Sequence, residues 1–132
     1  MSKLKNKELM QDIFTELSEG NDRLFVEAMA EEMQWIWMGS GQWSKTFNGK
    51  KEILSTLWSA VRKTLKPPYK VHAKNFIADG DYVVVEAVGE NKTPEGKTYQ
   101  NKYCWVCKIV DSKIYELKEY MDTQLVTETF KK

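Results

Sequence analysis

From residue 70 onward the chain carries four segments of strand-like alternation, 70–78, 82–90, 98–110 and 113–126. They are separated only by the turn sequences ADGD, TPEGK and VDSK. Connections this short cannot make the crossover that parallel strands need, so successive strands pair antiparallel as a meander. A sheet of this kind has an apolar face to cover, and the preceding residues supply the cover. Asn6 can cap a first helix whose Leu9, Met10, Ile13, Phe14 and Leu17 recur at helical spacing, with Gly20 ending it. A brief second helix carries Leu24, Phe25, Ala28 and Met29. A third, capped by Asn48, runs over 50–65 and is stopped by Pro67 and Pro68. Between the second and third, QWIWM (34–38) reads as an early strand with Trp35 and Trp37 on one face and Ile36 on the other. The expected class is α+β, helices covering one face of a strongly curved antiparallel sheet.

The last segment, KIYELKEYMDTQLV, holds the most informative residue. At a two-residue period, Tyr115, Leu117, Glu119, Met121 and Thr123 share a face that is apolar apart from Glu119. A carboxylate in that position is either paired or has its pKa raised by desolvation, and both conditions are common at functional sites. The alternative is an edge strand with a partly wet second face and Glu119 in a salt bridge. A second anomaly is the loop GSGQWSKTFNG (39–49), whose Trp43 and Phe47 suit a segment folded over a cavity or a partner.

Composition narrows the class of partner. With 132 residues and 15.4 kDa the chain makes one domain, 1–132, with enough core to need no metal or disulfide staple. A formal net charge of +1 gives no electrostatic footprint for nucleic acid or an anionic membrane, and Arg23 and Arg62 are the only arginines. No apolar run is long enough for a membrane span and the N-terminal residues have no signal-peptide core, so a cytoplasmic location is expected. Cys104 and Cys107 form a C-x-x-C inside a strand, YCWVCKIV, without further ligands for zinc. They read as buried small hydrophobes, and no cofactor or metal is expected.

The order of motifs resembles a known family. The G-N-D break between the first helices, W-x-W before a glycine loop and the N-G-K-K-E-I entry to the third helix come first. A-D-G-D-Y-V-V-V-E, G-K-T-Y-x-N-x-Y and K-I-Y-E-L-K-E-Y-M-D-T follow. Together, over roughly residues 8–126, they are similar to the nuclear transport factor 2-like superfamily, in its SnoaL-like polyketide cyclase and ketosteroid isomerase-related branch. The resemblance implies a cone-shaped barrel of curved sheet wrapped around three N-terminal helices. It also implies a deep apolar pocket for an apolar small molecule, and a homodimer formed through the outer sheet face. Fold alone licenses no reaction. The isomerase's catalytic tyrosine and two aspartates fall at or near Ile13, Trp37 and Trp105, all apolar, which argues against that machinery. The aspartate–arginine–aspartate relay of related epoxide hydrolases finds no strand arginine here.

By alternation and by the family's inward register, the expected pocket gathers Phe14, Trp35, Trp37, Leu57, Trp58, Val85, Trp105, Leu117 and Met121, with Trp43 and Phe47 from the loop. So many aromatics suit a flat apolar or polycyclic ligand. Glu119 is the candidate general acid or base, with Tyr103 or Asn101 donating to a developing oxyanion. Such a set would serve proton abstraction beside a carbonyl, in a lyase, isomerase or cyclase. Asp122 falls on the opposite face unless a bulge turns it, and reads as a strand-end or dimer-contact residue. His72 reads as a surface or interface imidazole, and Glu86 would need a partner such as Lys102 in a dimer contact. Two non-catalytic readings stand beside the enzyme: a binder of a hydrophobic metabolite, and an interaction domain whose cavity is filled by its own side chains.

Overall fold

The computed structural model describes residues 3–130. Helix α1, Lys3–Leu17, buries Met10, Ile13, Phe14 and Leu17, the apolar stripe expected from their spacing. It begins before Asn6, which sits inside it as a buried residue with Nδ2 donating to the Ile109 carbonyl at 3.5 Å, so Asn6 is not its cap. Helix α2, Arg23–Ala28, ends one residue early, because Met29 already begins strand β1, Met29–Trp37. The early strand is therefore longer than its tryptophans suggested. The acidic pair Glu31 and Glu32 faces solvent in the stretch where the β1 register shifts against β8, between Met29 and Gln34.

The loop returns as a short strand β2, Thr46–Asn48. Asn48 thus ends a strand, and Gly49 occupies the helix-entry position at φ 89, which a side chain would strain. The expected third helix forms over residues 50–64 in three parts: α3 (Lys50–Glu52), a π-helical segment Ile53–Trp58 and α4 (Ser59–Thr64). Then come β3 (Val71–Asp79), β4 (Tyr82–Gly89), the short pair β5 (Asn91–Lys92) and β6 (Thr98–Tyr99), β7 (Lys102–Val110) and β8 (Lys113–Tyr120). The last expected strand stops six residues early. Asp122 accepts from the Leu125 N–H at 3.1 Å and caps a further helix, α5, Thr123–Thr129.

The main sheet has the order β2-β1-β8-β7-β4-β3, with β1 and β8 parallel and every other pair antiparallel. Strands β2 and β3 remain edges, so the sheet is curved but open rather than a closed barrel. The helices are also not confined to the N-terminal half, since α5 follows the sheet. Aligned registers run one inward row across five strands: Trp37, Glu119, Trp105, Val85 and Phe76. The next row is Trp35, Leu117, Cys107, Val83 and Ala78. Helix α1 lies over β3 and β4 and covers the sheet's inner face. Cys107 is buried in this core, while Cys104 points the other way and is only half-buried.

Candidate active site

The inward row sets Glu119 between Trp37 and Trp105 on neighbouring strands, with its side chain 2 % exposed. Its Oε1 accepts the indole N–H of Trp35 at 2.8 Å. Burial pushes its pKa up to about 7, and the indole N–H groups of Trp105 and Trp35 oppose the shift only in part. The carboxyl therefore stands near half-ionisation at neutral pH, able to give or take a proton.

Three tyrosines gather on the same cavity. Tyr69 donates to the Tyr103 hydroxyl at 3.4 Å, and Tyr99 accepts from Asn101 Nδ2 at 3.0 Å. Burial raises all three phenols, Tyr99 to about 12, and the Glu119 charge adds to each rise. They stay neutral near pH 7 and are able to donate. The indole N–H of Trp37 is buried without a hydrogen-bond acceptor, an uncommon state for a buried donor.

The cavity beside Glu119 has a volume of only about 10 Å³, room for roughly one water. Trp35, Trp37, Trp58, Tyr103 and Met121 line it as the sequence suggested, together with Val61, Tyr69, Tyr99 and Phe130, which the sequence reading did not assign to it. Tyr99 shares the alternation of Asn101 and Tyr103, so extending that face by two residues would have found it. Phe130 had a signal too: after Asp122, the residues Val126, Thr129 and Phe130 are buried on one side of α5.

The expected pocket was larger. Phe14, Phe47, Leu57, Val85, Trp105 and Leu117 lie in the packed core and not on the cavity, because aromatic rings close over the space between them. Trp105 meets Phe14 at 5.1 Å, Phe25 at 5.3 Å and Trp35 at 5.7 Å between ring centres. Trp37 belongs to a separate group, 6.2 Å from each of Trp43, Phe47 and Phe130. Trp43 thus reaches the cavity only through its neighbours: its Nε1–H donates to the Phe130 carbonyl at 2.8 Å and ties the 39–49 loop to the end of α5.

Asn101 is brought near the tyrosines but is already engaged. Its Nδ2 also donates to the Asp122 carbonyl at 3.2 Å, while its Oδ1 accepts from the backbone N–H of Lys102 and of Asp122. It clasps the start of β7 to the end of β8 and orients Tyr99. His72 lies at the surface, 2.7 Å from Glu90, and Glu86 takes a hydrogen bond from Asn75 across the outer face instead of from Lys102. Among the described residues no group of three or more His, Cys, Asp or Glu is placed to hold a metal, and no helix is long and apolar enough to cross a membrane.

Comparisons with known proteins agree with this architecture. The chain is similar to a candidate SnoaL-like polyketide cyclase from Jannaschia sp. CCS1, at 17 % identity and TM-score 0.76, covering 96 % of this chain and 92 % of that one. It is similar to a protein of cystatin-like fold from Xanthomonas campestris, at 17 % identity and TM-score 0.80 over the full length of both. It also resembles TerC, crystallised with polyporic acid, at 21 % identity and TM-score 0.77 over 98 % of each chain. At such identities these likenesses speak for the fold alone. No match is found among curated proteins. The family model of the SnoaL-like domain matches residues 10–117, so the chain belongs to the SnoaL-like family.

Proposed function

We propose that this SnoaL-like domain handles an apolar carbonyl compound and moves a proton on it without a cofactor, as an isomerase, lyase or cyclase. Glu119 is the general acid and base. The observation that carries the reading is a buried carboxyl on a cavity wall, balanced near pH 7 and facing neutral hydroxyl donors. In this scheme the carboxylate takes a proton from the carbon beside the carbonyl. The Tyr103 hydroxyl and the unpaired Trp37 N–H hold the negative charge that develops on oxygen. The proton returns at another position or leaves with a departing group. Asn101 acts as a positioning residue through Tyr99 and the end of β8. The SnoaL-like relative named for polyketide cyclisation, and the one crystallised with polyporic acid, support a small-molecule role of this class.

The small volume favours a second reading, a binder or interaction domain whose cavity its own side chains fill. In either case a ligand must displace Met121, Phe130 or the Trp58–Tyr69 pair to reach Glu119. Glu119→Gln separates the readings, because it keeps the shape and removes the proton carrier. In a screen of cyclic ketones and enones for proton exchange beside the carbonyl, activity lost in the variant supports the enzyme. A native protein that exchanges no proton on any of them rejects it.

The outer face is the proposed seat of a homodimer. Ile77, Tyr82 and Tyr120 are exposed there beside half-buried Val84 and Val106. Light scattering reads the expected dimer, and Ile77→Lys is expected to weaken it.

A further inference from the structure

The two arginines of the chain, Arg23 and Arg62, both line one surface trough, a recess of about 630 Å³ between α2 and the 50–64 helix. Asp22, Trp58 and Arg62 carry that trough into a second, deeper recess of about 270 Å³, walled by Leu65, Pro67, Pro68 and Tyr69. The far end is closed tightly: at Gly20, φ +85, an added Cβ would lie 2.5 Å from Pro68.

The two arginines are held differently. Arg23 is bound by Glu16 at 2.9 Å and Glu27 at 3.5 Å. Arg62 stands 3.9 Å from Asp22, beyond hydrogen-bond reach, and its side chain is 68 % exposed. The same Asp22 Oδ2 accepts the Trp58 Nε1–H at 2.6 Å, so its direct hydrogen bond goes to the indole and its contact with Arg62 is the longer, charge-only one. Lys63 adds a second cation on the same rim. A guanidinium left loosely paired above aromatic and proline walls matches a planar anion with an apolar body.

Trp58 and Tyr69 line both this recess and the small cavity beside Glu119, with ring centres 5.3 Å apart at 83°. Those two rings are the residues that the two linings share. Trp58 also closes the π-helical segment Ile53–Trp58, a distortion that recurs at functional sites. We propose that this trough is an anion-anchored access subsite: it takes aromatic or alicyclic carboxylates, Arg62 holding the acid group and the apolar body lying on Trp58 and Tyr69, the gate to Glu119. The substrate class then becomes an acidic apolar carbonyl compound, a refinement that rests on the proton-transfer reading of Glu119.

The test uses 2-naphthoate and its uncharged relative 2-naphthamide, followed by the indole N–H resonances of the whole protein, with that of Trp58 identified by its loss in Trp58→Phe. The expected result is that naphthoate moves the Trp58 resonance, that naphthamide binds more weakly, and that Arg62→Gln weakens naphthoate by about tenfold, the scale of one charge-assisted contact. Arg62 is exposed, so the variant keeps its fold, and an unchanged circular dichroism spectrum checks that. Equal binding of the two probes, indifference to Arg62→Gln, or no shift at Trp58 up to solubility overturns the proposal. Glu119→Gln leaves naphthoate binding at the trough intact. A trough that fails while Glu119→Gln still abolishes turnover sinks the access subsite alone; a native protein that binds naphthoate in the trough yet exchanges no proton on any ketone or enone sinks the reading beneath it.

Discussion

Around Phe25 the interior is closed by aromatic edges, with Trp35, Trp58 and Trp105 at 5.4, 5.7 and 5.3 Å. Around Glu119, in the adjoining part of the same interior, rings of the same kind leave a gap, one unpaired indole donor and three neutral phenols. The aromatic content is alike in the two regions and does not distinguish them. One carboxyl does. It cannot be buried without partners, so donors converge on it and apolar packing stops short. The first region supplies stability, and the second keeps a titratable group buried at a cost to stability.

Removing a ring from the packed region has the largest expected effect. Phe25→Ala leaves a cavity among three indoles and is expected to cost about 3–5 kcal/mol, read as the loss in urea unfolding free energy. A loss under 1 kcal/mol would mean that this region is as loosely filled as the other.

The pH dependence of stability sharpens the contrast next. Glu119 holds its proton up to about 7 in the fold against an ordinary 4.5 in the unfolded chain. The folded state therefore binds more protons across that window, and stability falls as pH rises from about 4.5 to about 7, then levels off. At 1.36 kcal/mol per pH unit the fall is on the order of 3 kcal/mol. Glu119→Gln is expected to remove that slope, so the difference between native and variant unfolding curves at pH 5 and pH 8 isolates it. Parallel curves would put the carboxyl in water.

Smaller again is the effect of uncapping α5. Asp122→Ala removes the acceptor of the Leu125 N–H and is expected to cost about 1 kcal/mol. It also loosens Phe130 over the cavity, so Trp43, bonded to the Phe130 carbonyl, is expected to change its fluorescence. Unfolding that is unchanged by the substitution would separate α5 from the cavity. The smallest effect belongs to the surface: His72→Gln breaks an exposed pair with Glu90 and leaves the unfolding midpoint where it was.

Much of this architecture was legible because its causes are local. The short turns ADGD and VDSK join antiparallel partners, β3 to β4 and β7 to β8, and the alternation of 113–120 turned Glu119 inward. The misses have local causes as well. Asp122 followed by a helical apolar pattern is a capping signal, and reading it as strand continuation hid α5 and Phe130. Helix α1 starts before Asn6 because a polar residue inside a helix can be buried when a distant carbonyl, here that of Ile109, receives it.

The sequence by itself determined which faces are apolar, where the chain turns and that one acid lies among them, since side-chain spacing along a strand or helix is fixed by backbone geometry. Only the tertiary structure decided how much space remains beside that acid. Volume depends on how rings from α1, α2, the 50–64 helix and α5 meet, and those distances are set by packing between elements far apart in the chain. The same packing put Arg62 beside Asp22, 40 positions away, and left its charge only loosely matched.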